Sequence, residues 1–101
     1  MDIFWSDLAK GNLKEIHEFY CLIANKKVAN MLIKKLIACP EVLIDHPEMG
    51  ILETHHVAIG REFRFLIEGN FKIVYKVFQK EDKILIATVF DTRRDPNKFK
   101  I

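Results

Sequence analysis

The chain has 101 residues, 50% apolar and 30% charged, with a net charge of +2. That is enough apolar material for one compact core, so a single domain spanning 1–101 is expected. No apolar run approaches the roughly 20 residues that a membrane-crossing helix needs. The start, Met1-Asp2-Ile3-Phe4-Trp5, also lacks the basic region and long apolar stretch of a secretory signal, which points to a cytoplasmic protein with no membrane partner.

The charge is unevenly spread. Residues 1–60 carry six lysines, no arginine and eight acids, whereas residues 61–101 carry ten basic residues and six acids. All four arginines, Arg61, Arg64, Arg93 and Arg94, lie in the second part, which hints at an anionic partner there. Cys21 and Cys39 form no CxxC pair. They read as reduced thiols packed as small hydrophobes on helical segments, with no metal or redox role.

In chain order, Ile3–Trp5 reads as a short strand. Ser6 follows as a helix N-cap, with Asp7 in the first turn where a negative charge suits the helix dipole. Leu8, Ala9, Leu13, Ile16, Phe19, Tyr20 and Ile23 recur at helical spacing, with an interruption expected at Gly11-Asn12. A break near Asn25-Lys26 introduces a second helix. Its buried stripe is read as Val28, Ala29, Leu32, Leu36 and Ile37, and Pro40 ends it. Asp45–Gly50 is a loop by its Pro and Gly. Four β-type segments follow: a weak one around Thr54–Val57, then Glu62–Ile67, Phe71–Phe78 and Ile84–Phe90.

Joining the apolar faces of the middle pair sets Ile67 opposite Phe71, with Glu68-Gly69-Asn70 as a three-residue loop. Arg64 then faces Val74 between Lys72 and Lys76, and Glu62 faces Lys76. If Phe78 opposes Ile84 across the next turn, Thr88 and Phe90 join the same face. A half-apolar, half-basic surface then runs toward Arg93 and Arg94. Such a surface is either an ordinary solvent face of an antiparallel sheet or a binding face. The arginine pair itself either solubilises a strand end, pairing with Asp91 or Asp95, or anchors an anion through its guanidinium forks.

A short strand ending Trp5-Ser6, two helices, then GNFKIVYKV at 69–77 and TVFDTRRDP at 88–96 make an order that resembles the RelE/ParE toxins of bacterial type II toxin–antitoxin modules. The resemblance covers nearly the whole chain, and the DTRRDP ending is most like the plasmid-stabilisation, or ParE-like, branch. It implies an α+β fold: a mostly antiparallel twisted sheet with an N-terminal strand and a two-helix hairpin packed on one face. It implies a cognate antitoxin as partner, docked on apolar residues that the core does not need, and no cofactor.

By the same resemblance, RelE-like members cleave mRNA on the ribosome through the ribose 2′-hydroxyl, and ParE-like members inhibit DNA gyrase by binding. Arg64, Lys72, Arg93 and Arg94 are the candidate cations for a developing phosphorane charge, with Arg61 and Lys76 as further target contacts. Lys72 and Arg94 are expected to face solvent. The acid and base of a ribonuclease are harder to find. Asp91 stands where many members have histidine, and Phe99 near where ribonucleases carry tyrosine or histidine. Tyr75 points to the apolar face. His55 and His56 titrate in a suitable range but read equally as surface loop residues, and without a third ligand they are weak evidence for a metal. His17 and His46 read as structural or exposed. Two further readings stay open: a non-toxic orphan of the fold, and a general nucleic-acid-binding module.

Overall fold

The computed structural model describes residues 1–53 and 62–93. Strand β1 (Asp2–Trp5) leads through Ser6 into helix α1 (Asp7–Ile23), followed by α2 (Lys26–Ala38) and a 3₁₀ turn, Cys39–Ile44. Strands β2 (Ile51–Leu52), β3 (Phe63–Glu68), β4 (Phe71–Phe78) and β5 (Lys83–Asp91) complete a five-stranded sheet in the order β1-β5-β4-β3-β2. Among the described residues only the β1–β5 pairing is parallel. This is the expected α+β arrangement.

Ser6 makes the first joint. Its Oγ accepts from the Ala9 N–H (3.0 Å) and donates to the Ala87 carbonyl (2.7 Å), so one hydroxyl caps α1 and ties it to β5. Helix α1 runs unbroken through Gly11-Asn12, contrary to the expected interruption. Asn12 explains why that sequence is tolerated. Strand β1 stops beside Ile86, so β5 beyond it has an open edge. There the Asn12 Oδ1 accepts from Val89 N–H (3.0 Å) and the Thr88 hydroxyl (2.8 Å). An edge donor in a buried position is satisfied from the helix rather than from a strand.

Asn25 caps α2 through Val28 N–H (2.8 Å), and the helix ends ahead of Pro40 as expected. The stripe expected to be buried is too wide. Ala29 and Leu36 are fully buried, Leu32 is half-buried, but Val28 and Ile37 are 42% and 47% exposed. Helix α2 meets α1 and the 3₁₀ turn on one narrow side, so the flanks of its apolar face stay open. The core lies between this hairpin and one sheet face: Ala9, Ile16, Leu36 and Leu43 against Phe71, Ile73, Tyr75, Ile84, Ile86 and Val89.

The β3–β4 register differs by one residue from the expected one. Glu68, not Ile67, opposes Phe71, and the turn is the two-residue Gly69-Asn70, with Gly69 at φ +59°. A positive φ at the first turn position followed by a negative one suits the right-handed twist of a two-residue hairpin. The slip puts Phe63 opposite Lys76 and Phe65 opposite Val74, on the face away from the helices. Joining apolar faces, as expected, would have kept these phenylalanines away from lysine. Here the Lys72 ammonium instead lies 3.9 Å from the Phe65 ring centroid, so aliphatic stem and charge both pack on the ring.

Along β4 and β5 the expected pairing holds for one half only. Val74 faces Thr88 and Lys72 faces Phe90, but a bulge at Ala87 moves the rest, so Phe78 faces Lys83 rather than Ile84. The expected weak strand at Thr54–Val57 lies outside the described residues, and β2 precedes it. No helix among the described residues is long and apolar enough to cross a membrane.

Candidate functional site

The end of β5 is where the sequence placed its arginine pair. Asp91 closes the strand and is buried. Its Oδ1 accepts from the Arg93 backbone N–H (2.9 Å) and Nε (3.1 Å), and its Oδ2 accepts from Nη2 (2.9 Å). The same Nη2 donates to the Tyr20 hydroxyl on α1 (2.7 Å). Carboxylate and phenol hold the guanidinium, still 56% exposed, in its charged form and above the ordinary arginine value. Thr92 fastens the same corner to the hairpin turn, its N–H and hydroxyl both donating to the Asn70 carbonyl (2.8 and 2.9 Å).

Arg93 therefore pairs with Asp91, one of the two alternatives the sequence left open, and the pairing fills one full edge of its fork. Tyr20 was read only as a core position of the helical stripe. Its hydroxyl gives no periodicity signal, so its place at this corner was invisible in the sequence. A narrow cavity of about 90 Å³ lies beside it, lined by Asn12, Glu15, Ile16, Phe19, Tyr20 and Asp91 among others.

Lys72 is not solvent-facing as expected. It is buried, and its ammonium lies 2.6 Å from the Glu53 carboxylate, which is itself almost fully buried. Arg64 is not between Lys72 and Lys76 either. The one-residue slip sets it opposite Tyr75, where its Nη1 donates to the carbonyls of Gly50 (2.9 Å) and Glu48 (3.3 Å) and holds the loop before β2. Tyr75 faces the core as expected. Its hydroxyl donates to the Pro47 carbonyl and accepts from Gly50 N–H, both at 2.9 Å. Lys76 is half-buried, on the sheet face away from the helices. Glu62, expected opposite Lys76, is displaced from it by Phe63.

His17 bridges the two helices, its Nε2 lying 2.7 Å from the Asn30 Oδ1. Arg61, Arg94, His55, His56 and Phe99 lie outside the described residues. Among the described residues no group of three or more metal-ligating side chains is found.

A model of the ParE toxin of the parDE type II toxin–antitoxin system matches residues 3–96. The chain belongs to the ParE toxin family. As such it is the toxin component of a type II toxin–antitoxin system. Three solved structures share its fold. A chromosomal ParDE system from P. aeruginosa gives a TM-score of 0.76 at 18% identity, covering 92% of this chain and 97% of that one. The intact E. coli RelBE toxin–antitoxin complex gives 0.56 at 13% identity, with 92% and 98% covered. The isolated E. coli RelE toxin gives 0.55 at 14% identity, with 95% and 88% covered. The comparison with curated proteins finds no match.

Within this ParE-family toxin the helical hairpin leaves a second candidate surface. A groove of about 480 Å³ runs between the hairpin and the β3–β4 turn, lined by Tyr20, Val28, Met31, Leu32, Lys35 and Phe71 among others. At the end of α1, Leu22 is 85% exposed and Ile23 is exposed as well. The exposed members, Leu22, Ile23, Val28 and Met31, stand outside the toxin's own core.

Proposed function

We propose that this toxin arrests growth by binding DNA gyrase rather than by cleaving mRNA on the ribosome. The observation that carries this reading is the state of the candidate cations. Phosphoryl chemistry at the ribose needs cations aimed at the developing charge and preorganised for it. Here the Arg93 fork is closed on Asp91 and Tyr20, Lys72 is buried against Glu53, and Arg64 is spent on loop carbonyls. Cations held by such partners are not free to turn toward a developing phosphorane, which leaves little for catalysis. Membership of the ParE family supports the same side. In this reading Arg93, Arg94, Arg61 and Lys76 contact the target as fixed charges.

The partner in this reading is a cognate antitoxin. Its apolar segment occupies the groove between the hairpin and the β3–β4 turn and covers Leu22, Ile23, Val28 and Met31. A segment that folds on binding would bury this surface and hold the toxin inactive until it is removed.

The test is a purified supercoiling assay run beside mRNA end-mapping in cells expressing the toxin alone. Gyrase inhibition, reduced at least fivefold in an Arg93→Ala, Arg94→Ala double variant whose circular dichroism stays that of the parent, is the expected result. New mRNA ends within codons, with supercoiling untouched, would overturn it.

A further inference from the structure

The toxin has a second basic region that the strand-end arginines do not explain. On the sheet face away from the helices, a row of side chains crosses four strands. Phe4 on β1 is followed by Lys83 on β5, then Phe78 and Lys76 on β4, then Phe63 on β3. The register fixes this order, since Lys83 opposes Phe78 and Lys76 opposes Phe63, while Phe4 lies beside Leu85 on the neighbouring strand.

Each ammonium lies over rings on both sides. The Lys83 Nζ is 5.9 Å from the Phe4 centroid and 5.5 Å from that of Phe78. The Lys76 Nζ is 5.0 Å from Phe78 and 5.9 Å from Phe63. Phe4 is 51% exposed, and the other four are half-buried, so ring faces and charges both reach the surface.

Ion pairing sets these two lysines apart from Lys72. The ion pairs among the described residues join Met1 to Asp82, Lys72 to Glu53 and Arg93 to Asp91. Lys76 and Lys83 take part in none of them. Asp2 is paired with Lys83 in the strand register, yet its carboxylate does not close to ion-pair distance. Two half-buried cations thus lie between aromatic faces with no carboxylate on them, and their missing complement is an anion.

Ring faces alternating with positive charges match one polymer chemistry in particular. A single strand of nucleic acid alternates flat bases, which stack on aromatic side chains, with phosphates, which take ammonium groups. A duplex hides its base faces and gains nothing from the rings. Rings and ammonium groups read neither sugar, so the row by itself favours neither DNA nor RNA.

We infer that this face binds single-stranded DNA, with bases stacked on Phe4, Phe78 and Phe63 and phosphates held by Lys76 and Lys83. The choice of DNA as the strand met in the cell rests on the gyrase reading. The surface chemistry does not.

The experiment is fluorescence anisotropy of a labelled 12-nucleotide oligo(dT) with the purified toxin over a series of salt concentrations. Saturable binding that falls with salt is expected. Each phosphate neutralised on a single strand contributes about 0.7 to the slope of log affinity against log salt. The Lys76→Gln, Lys83→Gln pair should therefore flatten that slope by about 1.4, whereas Lys10→Gln with Lys14→Gln on α1 should leave it unchanged. Phe78→Ala should weaken binding about tenfold at constant salt while circular dichroism stays that of the parent.

Three results would overturn the inference: a duplex of equal length binding as tightly as the single strand, an equal slope change from the α1 pair, or a clear preference for oligo(U). No gyrase is present in this measurement. Failure of the supercoiling assay would leave oligonucleotide binding intact, and absence of oligonucleotide binding would leave gyrase inhibition standing.

Discussion

Tyr75 carries more of the fold than its volume implies. It is fully buried at the centre of β4, and its hydroxyl joins two backbone groups of the loop before β2. Gly50 is the other half of this contact. A Cβ there would lie 2.5 Å from the Tyr75 oxygen and 2.8 Å from the Phe65 carbonyl, so only glycine lets the loop come this close. Tyr75→Phe keeps the ring but orphans the Gly50 N–H, at a cost of about 1–2 kcal/mol in urea unfolding. The pH dependence has a definite sign. Burial is the chief cause raising the Tyr75 hydroxyl above its ordinary value of 10.0, and burial followed by the Glu68 charge raises the Cys39 thiol above 9.0. Both groups are neutral when protonated, so the fold favours the protonated forms. Their contribution is complete below pH 9 and is lost as pH rises through the folded-state values. Unfolding curves taken from pH 8 to 11 should show falling stability, and Tyr75→Phe should remove the part that sets in above pH 10.

At the scale of elements, the strands and helices were legible because their patterns are strong. Strand β4 has the expected bounds, the Ser6 cap is where side-chain chemistry put it, α2 starts at the expected break, and α1 ends close to its last periodic residue. The pairing between elements was less so. The hairpin register was argued from which apolar faces should meet, which leaves out the attraction of a lysine for a phenylalanine ring. One residue of slip then moved Arg64 across the sheet and brought Phe63 and Phe65 onto the lysine face. The bulge at Ala87 leaves no mark in an apolar run such as Ile84–Val89. Lys72 shows what the slip means energetically. A solvent-facing lysine would tolerate alanine, but here Lys72→Ala takes the ammonium from a carboxylate that is itself buried. Removing one partner of a buried pair costs about 3 kcal/mol or more. Urea unfolding of Lys72→Ala should show that loss, so any drop in toxicity would accompany a weaker fold. An unchanged unfolding midpoint would mean that β2 and β4 do not depend on this pair.

For the whole molecule, the sheet divides the labour. One face is sealed by the helical hairpin, and the other carries lysines and phenylalanines. The outer end of the hairpin exposes Leu22, Ile23, Val28 and Met31 together. Leaving this much apolar surface in water lowers solubility and favours self-association. In the proposed reading the antitoxin covers it, through the groove that Val28 and Met31 line. Leu22→Glu together with Met31→Glu places charges on two positions that contribute little to the core. The melting temperature should therefore stay within about 2 °C, because surface substitutions away from special contacts change stability by less than about 0.5 kcal/mol. Self-association of the isolated toxin, measured by sedimentation velocity over a concentration series, should fall. Neutralisation by the antitoxin should fall with it, so that cells carrying both proteins lose protection while the toxin keeps its potency. A variant that melted far below the parent would show that these residues pack the hairpin. A variant neutralised as well as the parent would place the antitoxin elsewhere on the molecule.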